Sequence, residues 1–201
     1  MNCARRSCVH AFLFVFFVCS QSIAAFCKDG KESKSLIPEN NRIVSVEQSD
    51  HFQWHEHNKL SWDDFRGPVK SADDESAAAT HCGIGFKTNI NAPGGKPSVI
   101  VYNTFYTTKS WVRPDAKVQS ILEHEQGHFD LCEIYTRMLR DRMNNFDFNV
   151  PDVKQALMSV YTEINNMYES RQQAYEQETT HGTNITQQKK WRQMMTQELR
   201  S

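Results

Sequence analysis

The sequence predicts an α+β domain in which a small antiparallel sheet is followed by three helices. Between Cys82 and Ile90, apolar residues alternate with small or polar ones, and residues 99–106 are rich in Val, Ile, Tyr and Thr. These runs predict two strands joined as a hairpin across residues 80–107. After Pro114 the apolar residues follow helical spacing instead. A length of 201 residues suits one such domain preceded by a leader.

The N-terminal part of the chain predicts export. Arg5 and Arg6 precede a short apolar run over residues 11–18, and small residues end the segment near residue 25. This is the pattern of a secretory signal peptide over residues 1–25, and the run is far shorter than the roughly 20 residues of a membrane span. We therefore expect a periplasmic or secreted protein with no stable membrane insertion after cleavage.

The remainder of the chain divides into a leader and a domain. Residues 26–42 are polar and charged, which predicts a flexible leader, and residues 43–201 then form the domain. The net charge is −1 and the basic residues are scattered, which argues against a nucleic-acid partner.

Three cysteines remain after the expected cleavage, namely Cys27, Cys82 and Cys132. An odd number in an exported protein predicts one disulfide and one spare thiol. Three pairings are possible. A Cys82–Cys132 bond would tie the strand region to the first long helix.

Helix signals divide the second half of the chain into three helices. The first begins near Pro114 and continues to about Asn144, and the second begins at residues 149–152. His181-Gly182 interrupts the second pattern, and Asn184 is placed to cap a third helix.

The first helix contains the segment His124-Glu125-Gln126-Gly127-His128. Four residues turn a helix by about 400°, so the two histidines leave the same face and can bind one Zn²⁺. Glu125 lies about 100° around the helix, beside the place of a zinc-bound water, where it can act as general base. The segment therefore predicts a zincin-like site that hydrolyses amide bonds.

The alternative interpretation is two exposed histidines beside a solvated glutamate. Ile121, Leu122, Phe129 and Leu131 flank the motif and make the helix amphipathic. Gly127 costs roughly 1 kcal/mol relative to Ala inside a helix, so either a nearby metal site or tight packing must account for it. These features favour the metal site.

A catalytic zinc requires a third protein ligand. His181 is favoured, because an antiparallel return of the second helix would bring it toward His124. Cys132, Glu133 and His81 remain alternatives, although Glu133 lies about 140° around the helix from His128 and faces away. His51, His55 and His57 also cluster, and we interpret them as surface residues.

Four segments resemble the DUF922 family of predicted secreted zinc-dependent proteases. The matching segments are Leu60–Gly67, Ser110–Val112, Leu122–Asp130 and Glu178–Asn184. The resemblance covers roughly residues 50–195. It implies a zincin-like peptidase in which His124, Glu125 and His128 form the motif and His181 is the third ligand.

The sequence as a whole predicts a zinc-dependent peptidase acting on a peptide or protein. Two alternatives stay open, a zinc amidase acting on cell-wall peptide and a non-catalytic envelope-binding module that keeps zinc for structure. A zinc site with four protein ligands, in which Cys132 or Glu133 replaces the zinc-bound water, would favour the binding module. Tyr168 or Tyr175 could support an oxyanion, although packing is the simpler role for each.

Overall fold

The computed structural model describes residues 49–69, 76–89 and 96–201, which lie within one compact unit. The predicted signal peptide, the leader over residues 26–42 and Cys27 lie outside the described residues. Among the residues described, none of the helices has the length and apolar character that a membrane crossing requires.

In the described part of the chain, five strands form two small antiparallel sheets, a three-stranded sheet in the order β1-β4-β3 and a two-stranded sheet of β2 and β5. The strands are β1 His51–Phe52, β2 Ala78–Ala79, β3 Cys82–Asn89, β4 Ser98–Tyr106 and β5 Trp111–Val112. The predicted hairpin is confirmed, because β3 pairs with β4 from Cys82↔Phe105 to Asn89↔Ser98.

Three helices follow the sheets, as the sequence predicts. They are α1 Gln119–Asn144, α2 Val153–Thr179 and α3 Ile185–Glu198. Pro114–Ala116 form a 3₁₀ turn ahead of α1, so the helix begins later than the sequence predicts. Asp152 caps α2, and the predicted cap at Asn184 is present on α3, where its side chain accepts a bond from Gln187 N at 3.2 Å.

The middle of α1 is buried on several sides. Phe129 is fully buried against the sheet, with its ring centroid 5.3 Å from that of Phe105 on β4. Leu131 and Leu139 are also fully buried within the same core. A helix enclosed in this way carries its polar side chains into the interior, and each of them then needs a partner.

Candidate metal centre

Two imidazoles from α1 and one carboxylate from α2 converge on one point. Glu176 Oε2 lies 3.0 Å from His124 Nε2 and 3.1 Å from His128 Nε2, and the two Nε2 atoms are 3.1 Å apart. Ligand atoms around a tetrahedral zinc, each about 2.0–2.1 Å from the ion, lie roughly 3.3–3.4 Å from one another. The three atoms therefore form a group that can hold one metal ion.

Gln172 fixes the orientation of the His128 ring. Its Nε2 donates to the backbone oxygen of His128 at 2.9 Å, so its Oε1 is the atom that faces His128 Nδ1 at 2.6 Å. Since an amide oxygen only accepts, Nδ1 carries the ring proton. The neutral ring therefore presents the lone pair of Nε2 to the group.

A second network fixes His124 in the same tautomer. The Tyr175 hydroxyl donates to the backbone oxygen of His124 at 3.1 Å and accepts from Gln188 Nε2 at 2.6 Å. Gln188 Oε1 then faces His124 Nδ1 at 3.3 Å and accepts a hydrogen bond from it. Burial raises the pKa of Tyr175 well above its usual range, which keeps the hydroxyl protonated for this bond.

The group consequently requires a cation. Two nitrogen lone pairs and a carboxylate oxygen face one another, and a metal ion or a proton must occupy the space between them. Burial lowers the pKa of His128, but its bond to Glu176 and the Glu125 charge outweigh burial and raise the pKa to about 9. Burial likewise opposes ionisation of Glu176, yet both histidines hold the pKa of that carboxyl well below its usual range. A metal ion that bound to these residues would have to displace this proton, because histidine ligands bind metals in their neutral form.

Glu125 is a buried carboxylate beside the group. The residue is only 4% exposed, and its Oε2 has no hydrogen-bond partner among the described residues. Its charge contributes to the raised pKa of His128. An unpaired buried carboxylate oxygen is costly, and such groups in native proteins call for an explanation such as a catalytic role.

His181 reaches the site but not the ligand group. Its Nδ1 lies 2.5 Å from Glu176 Oε1, the oxygen that points away from His124 and His128. The ring is brought there by three consecutive left-handed residues, Thr180, His181 and Gly182, with φ of 51°, 54° and 78°. Strained backbone of this kind concentrates at functional sites. Glu176 is thus the third member of the group, where the sequence predicts His181.

The other ligands considered from the sequence lie outside the group. Glu133 accepts bonds from Arg137 Nε at 2.8 Å and Asn103 Nδ2 at 2.5 Å, and the fully buried Cys132 is not a member of the metal group. Within the described ranges, the metal group also omits His81 and the three N-terminal histidines, His51, His55 and His57. The Tyr168 hydroxyl contacts the Cys82 thiol at 3.4 Å.

The remaining residues of the motif segment serve the fold. Gln126 accepts a bond from the Leu60 backbone nitrogen at 2.8 Å and donates to Asp130 at 2.7 Å. Asp130 also accepts from the Trp54 indole at 2.7 Å. These bonds fix the segment between β1 and β2 against α1, which explains why the recognisable string extends beyond the two histidines.

Glu176 is the member of the candidate metal group that the sequence did not predict. On the buried face of α2, Tyr168, Tyr175 and Thr179 are interrupted by two polar residues, Gln172 and Glu176. Polar residues within such a face are the signal that could have identified it, because a buried polar side chain requires a partner.

The fold and the site together define an α+β protein in which two packed helices carry a His-His-Glu group that could hold a metal ion. Residues 61–182, well over half of the chain, match the family described as "Bacterial protein of unknown function (DUF922)". The chain belongs to the DUF922 family, in agreement with the resemblance seen in the sequence. Neither the curated proteins nor the solved structures gave a match.

Gly127 permits the contact on which this geometry depends. A Cβ at this position would lie 2.2 Å from the Tyr175 hydroxyl oxygen, so tight packing accounts for the mid-helix glycine. In an open helix Gly→Ala stabilises by about 1 kcal/mol. We expect Gly127→Ala to destabilise the protein instead, by about 1–3 kcal/mol, and to weaken zinc binding, because Tyr175 or α1 must move. Urea unfolding and chelator competition measure the two effects.

Gly83→Ala is the matched control, because a Cβ there meets nothing within 4 Å. It should change neither quantity appreciably. A Gly127→Ala protein with unchanged zinc affinity and higher stability would refute the close contact.

Proposed function

We propose that this protein is an exported zinc-dependent peptidase in which His124, His128 and Glu176 hold the metal and Glu125 is the general base. The observation that carries the proposal is the buried, unpartnered Oε2 of Glu125 beside the His-His-Glu group. A non-catalytic metal-binding module has no need for an unpaired carboxylate beside its metal ligands.

The donor set supports zinc in a catalytic rather than a structural role. Two imidazoles and one carboxylate form a three-ligand set typical of catalytic zinc, whereas structural zinc has four protein ligands, mostly cysteines. Neither Cys132 nor Glu133, which could have closed the site, belongs to the group, and Glu133 is bonded to Arg137. When bound, zinc supplies a water of lowered pKa and polarises the scissile carbonyl.

Glu125 moves the proton in the proposed reaction. Its Oε2 accepts a proton from the attacking water and then donates it to the nitrogen of the leaving amine. Burial at 4% exposure excludes bulk water from this carboxylate, which limits loss of the proton to solvent. The adjacent Glu176 side chain is 35% exposed, which gives the site a route to substrate.

Three further residues orient the proposed ligands. Gln172 and Gln188 hold the Nδ1–H tautomers of His128 and His124, as residues that accept from the second ring nitrogen of a histidine ligand commonly do in zinc sites. His181 binds Oε1 of Glu176, which leaves Oε2 directed at the two imidazoles. His181 is accordingly assigned as a positioning residue.

Glu125→Gln tests the general base. The amide keeps the shape of the side chain but cannot take up a proton, so we expect full zinc content and peptide hydrolysis lowered about 10²–10⁴-fold. Zinc is measured by elemental analysis and hydrolysis with a fluorogenic peptide library. The control is Glu123→Gln, two residues earlier, where a surface pair with Arg192 is lost and little change is expected. Hydrolysis by Glu125→Gln at the wild-type rate would exclude Glu125 as the base.

Comparing Glu176→Ala with His181→Ala identifies the third ligand. Loss of the Glu176 ligand should weaken zinc binding more than about 100-fold, whereas loss of a residue that orients a ligand costs about 10–100-fold. Glu169→Ala is the control, because on the same helix Glu169 contacts Asn165. Chelator competition measures all three affinities. If His181→Ala caused the larger loss, His181 would be the ligand.

A further inference from the structure

Two cysteines from different elements lie on either side of one backbone position of α1. Cys82 begins β3, and Cys132 lies in α1, four residues after His128. In an α-helix the backbone oxygen of His128 accepts the bond from the backbone nitrogen of Cys132. The Cys82 sulfur also lies 3.7 Å from the backbone oxygen of His128. Both cysteines are free in this structure.

We propose that Cys82 and Cys132 form a disulfide that fastens β3 to α1 beside the metal group. The fold, rather than proximity in the chain, brings the two side chains together, because the Cys82 sulfur lies beside the backbone oxygen that bonds to Cys132 in α1. A disulfide would bring the two sulfurs to a separation of about 2.05 Å. The bond has a clear place in the architecture. Strand β3 lies at the edge of the three-stranded sheet, and the disulfide would anchor that edge to the buried helix.

The oxidant is a second disulfide, either a small-molecule disulfide or that of a thiol–disulfide oxidoreductase. Cys82 is partly exposed and Cys132 is fully buried, so Cys82 reacts first. Its thiolate attacks the oxidant disulfide, forms a mixed disulfide and releases one thiol. The Cys132 thiolate then attacks the Cys82 sulfur and releases the second thiol. Two protein thiols lose two electrons and two protons, and the oxidant disulfide is reduced to two thiols.

The metal ligands keep their support after oxidation. Cys82 loses its S–H donor to the His128 backbone oxygen, but Gln172 Nε2 still donates to that oxygen at 2.9 Å. Neither sulfur belongs to the His-His-Glu group. The disulfide is therefore expected to stiffen α1 without changing the zinc stoichiometry.

Peptide mapping of the wild-type chain tests the bond directly. The full chain is equilibrated with oxidised or reduced glutathione, alkylated without further reduction, digested and examined by mass spectrometry. We expect a cross-linked peptide containing Cys82 and Cys132 only in the oxidised sample, with Cys27 alkylated. A bond from Cys27 to either cysteine, or alkylation of both Cys82 and Cys132 under oxidising conditions, would overturn the proposal.

Thermal unfolding and zinc content test its consequence. The disulfide closes a loop of about 50 residues, so the oxidised protein should unfold about 10 °C above the reduced one. Cys132→Ala should abolish this difference and Cys27→Ser should retain it, with one zinc per chain throughout. Equal unfolding temperatures, or zinc loss in Cys132→Ala, would overturn it. Because these measurements report sulfur connectivity, stability and zinc content, their outcome is separate from whether peptide hydrolysis is found.

Discussion

The close packing of the Tyr175 side chain against the backbone of α1 at Gly127 is the constraint on which the rest of the site depends. The fully buried Tyr175 ring stacks on His124 with centroids 4.8 Å apart, and its hydroxyl donates to the His124 backbone oxygen. This contact sets the approach and the register of α1 against α2. Glu176, the next residue along α2, is thereby carried to 3.0 Å from His124. A side chain at position 127 would push the two helices apart and separate the ligands.

The site places several polar groups in the interior, and hydrogen bonds offset most of that cost. His124 is 3% exposed, and Nδ1 of each imidazole donates a hydrogen bond to a glutamine amide oxygen, which determines the tautomer of the ring. Glu176 is held on both oxygens, by the imidazoles on one and by His181 on the other. The exception is Oε2 of Glu125. A network that satisfies every neighbour and leaves one carboxylate oxygen unpaired is what a site for proton transfer requires.

The sequence contained enough information for the fold but not for the complete site. Alternation along β3, helical spacing after Pro114 and the cap at Asn184 are local signals, and the structure confirms the elements they predict. Pairing His124 with His128 is also local, because both lie within one turn of helix. The identity of the third residue in the group depends on the register between two helices, which the periodicity of the sequence does not encode. The candidate metal group accordingly joins α1 to α2, and the left-handed turn directs His181 to Glu176 Oε1.

Two imidazoles and the Glu176 carboxylate are proposed to bind one zinc ion. X-ray absorption at the zinc edge of the zinc-loaded chain measures this ligand set directly. We predict a first shell of nitrogen and oxygen at about 2.0–2.1 Å, two imidazole scattering patterns and no sulfur near 2.3 Å. Replacing Glu176 by Ala should remove one oxygen and leave both imidazoles. A third imidazole or a sulfur in the first shell, or a wild-type chain that takes up no zinc, would contradict the account.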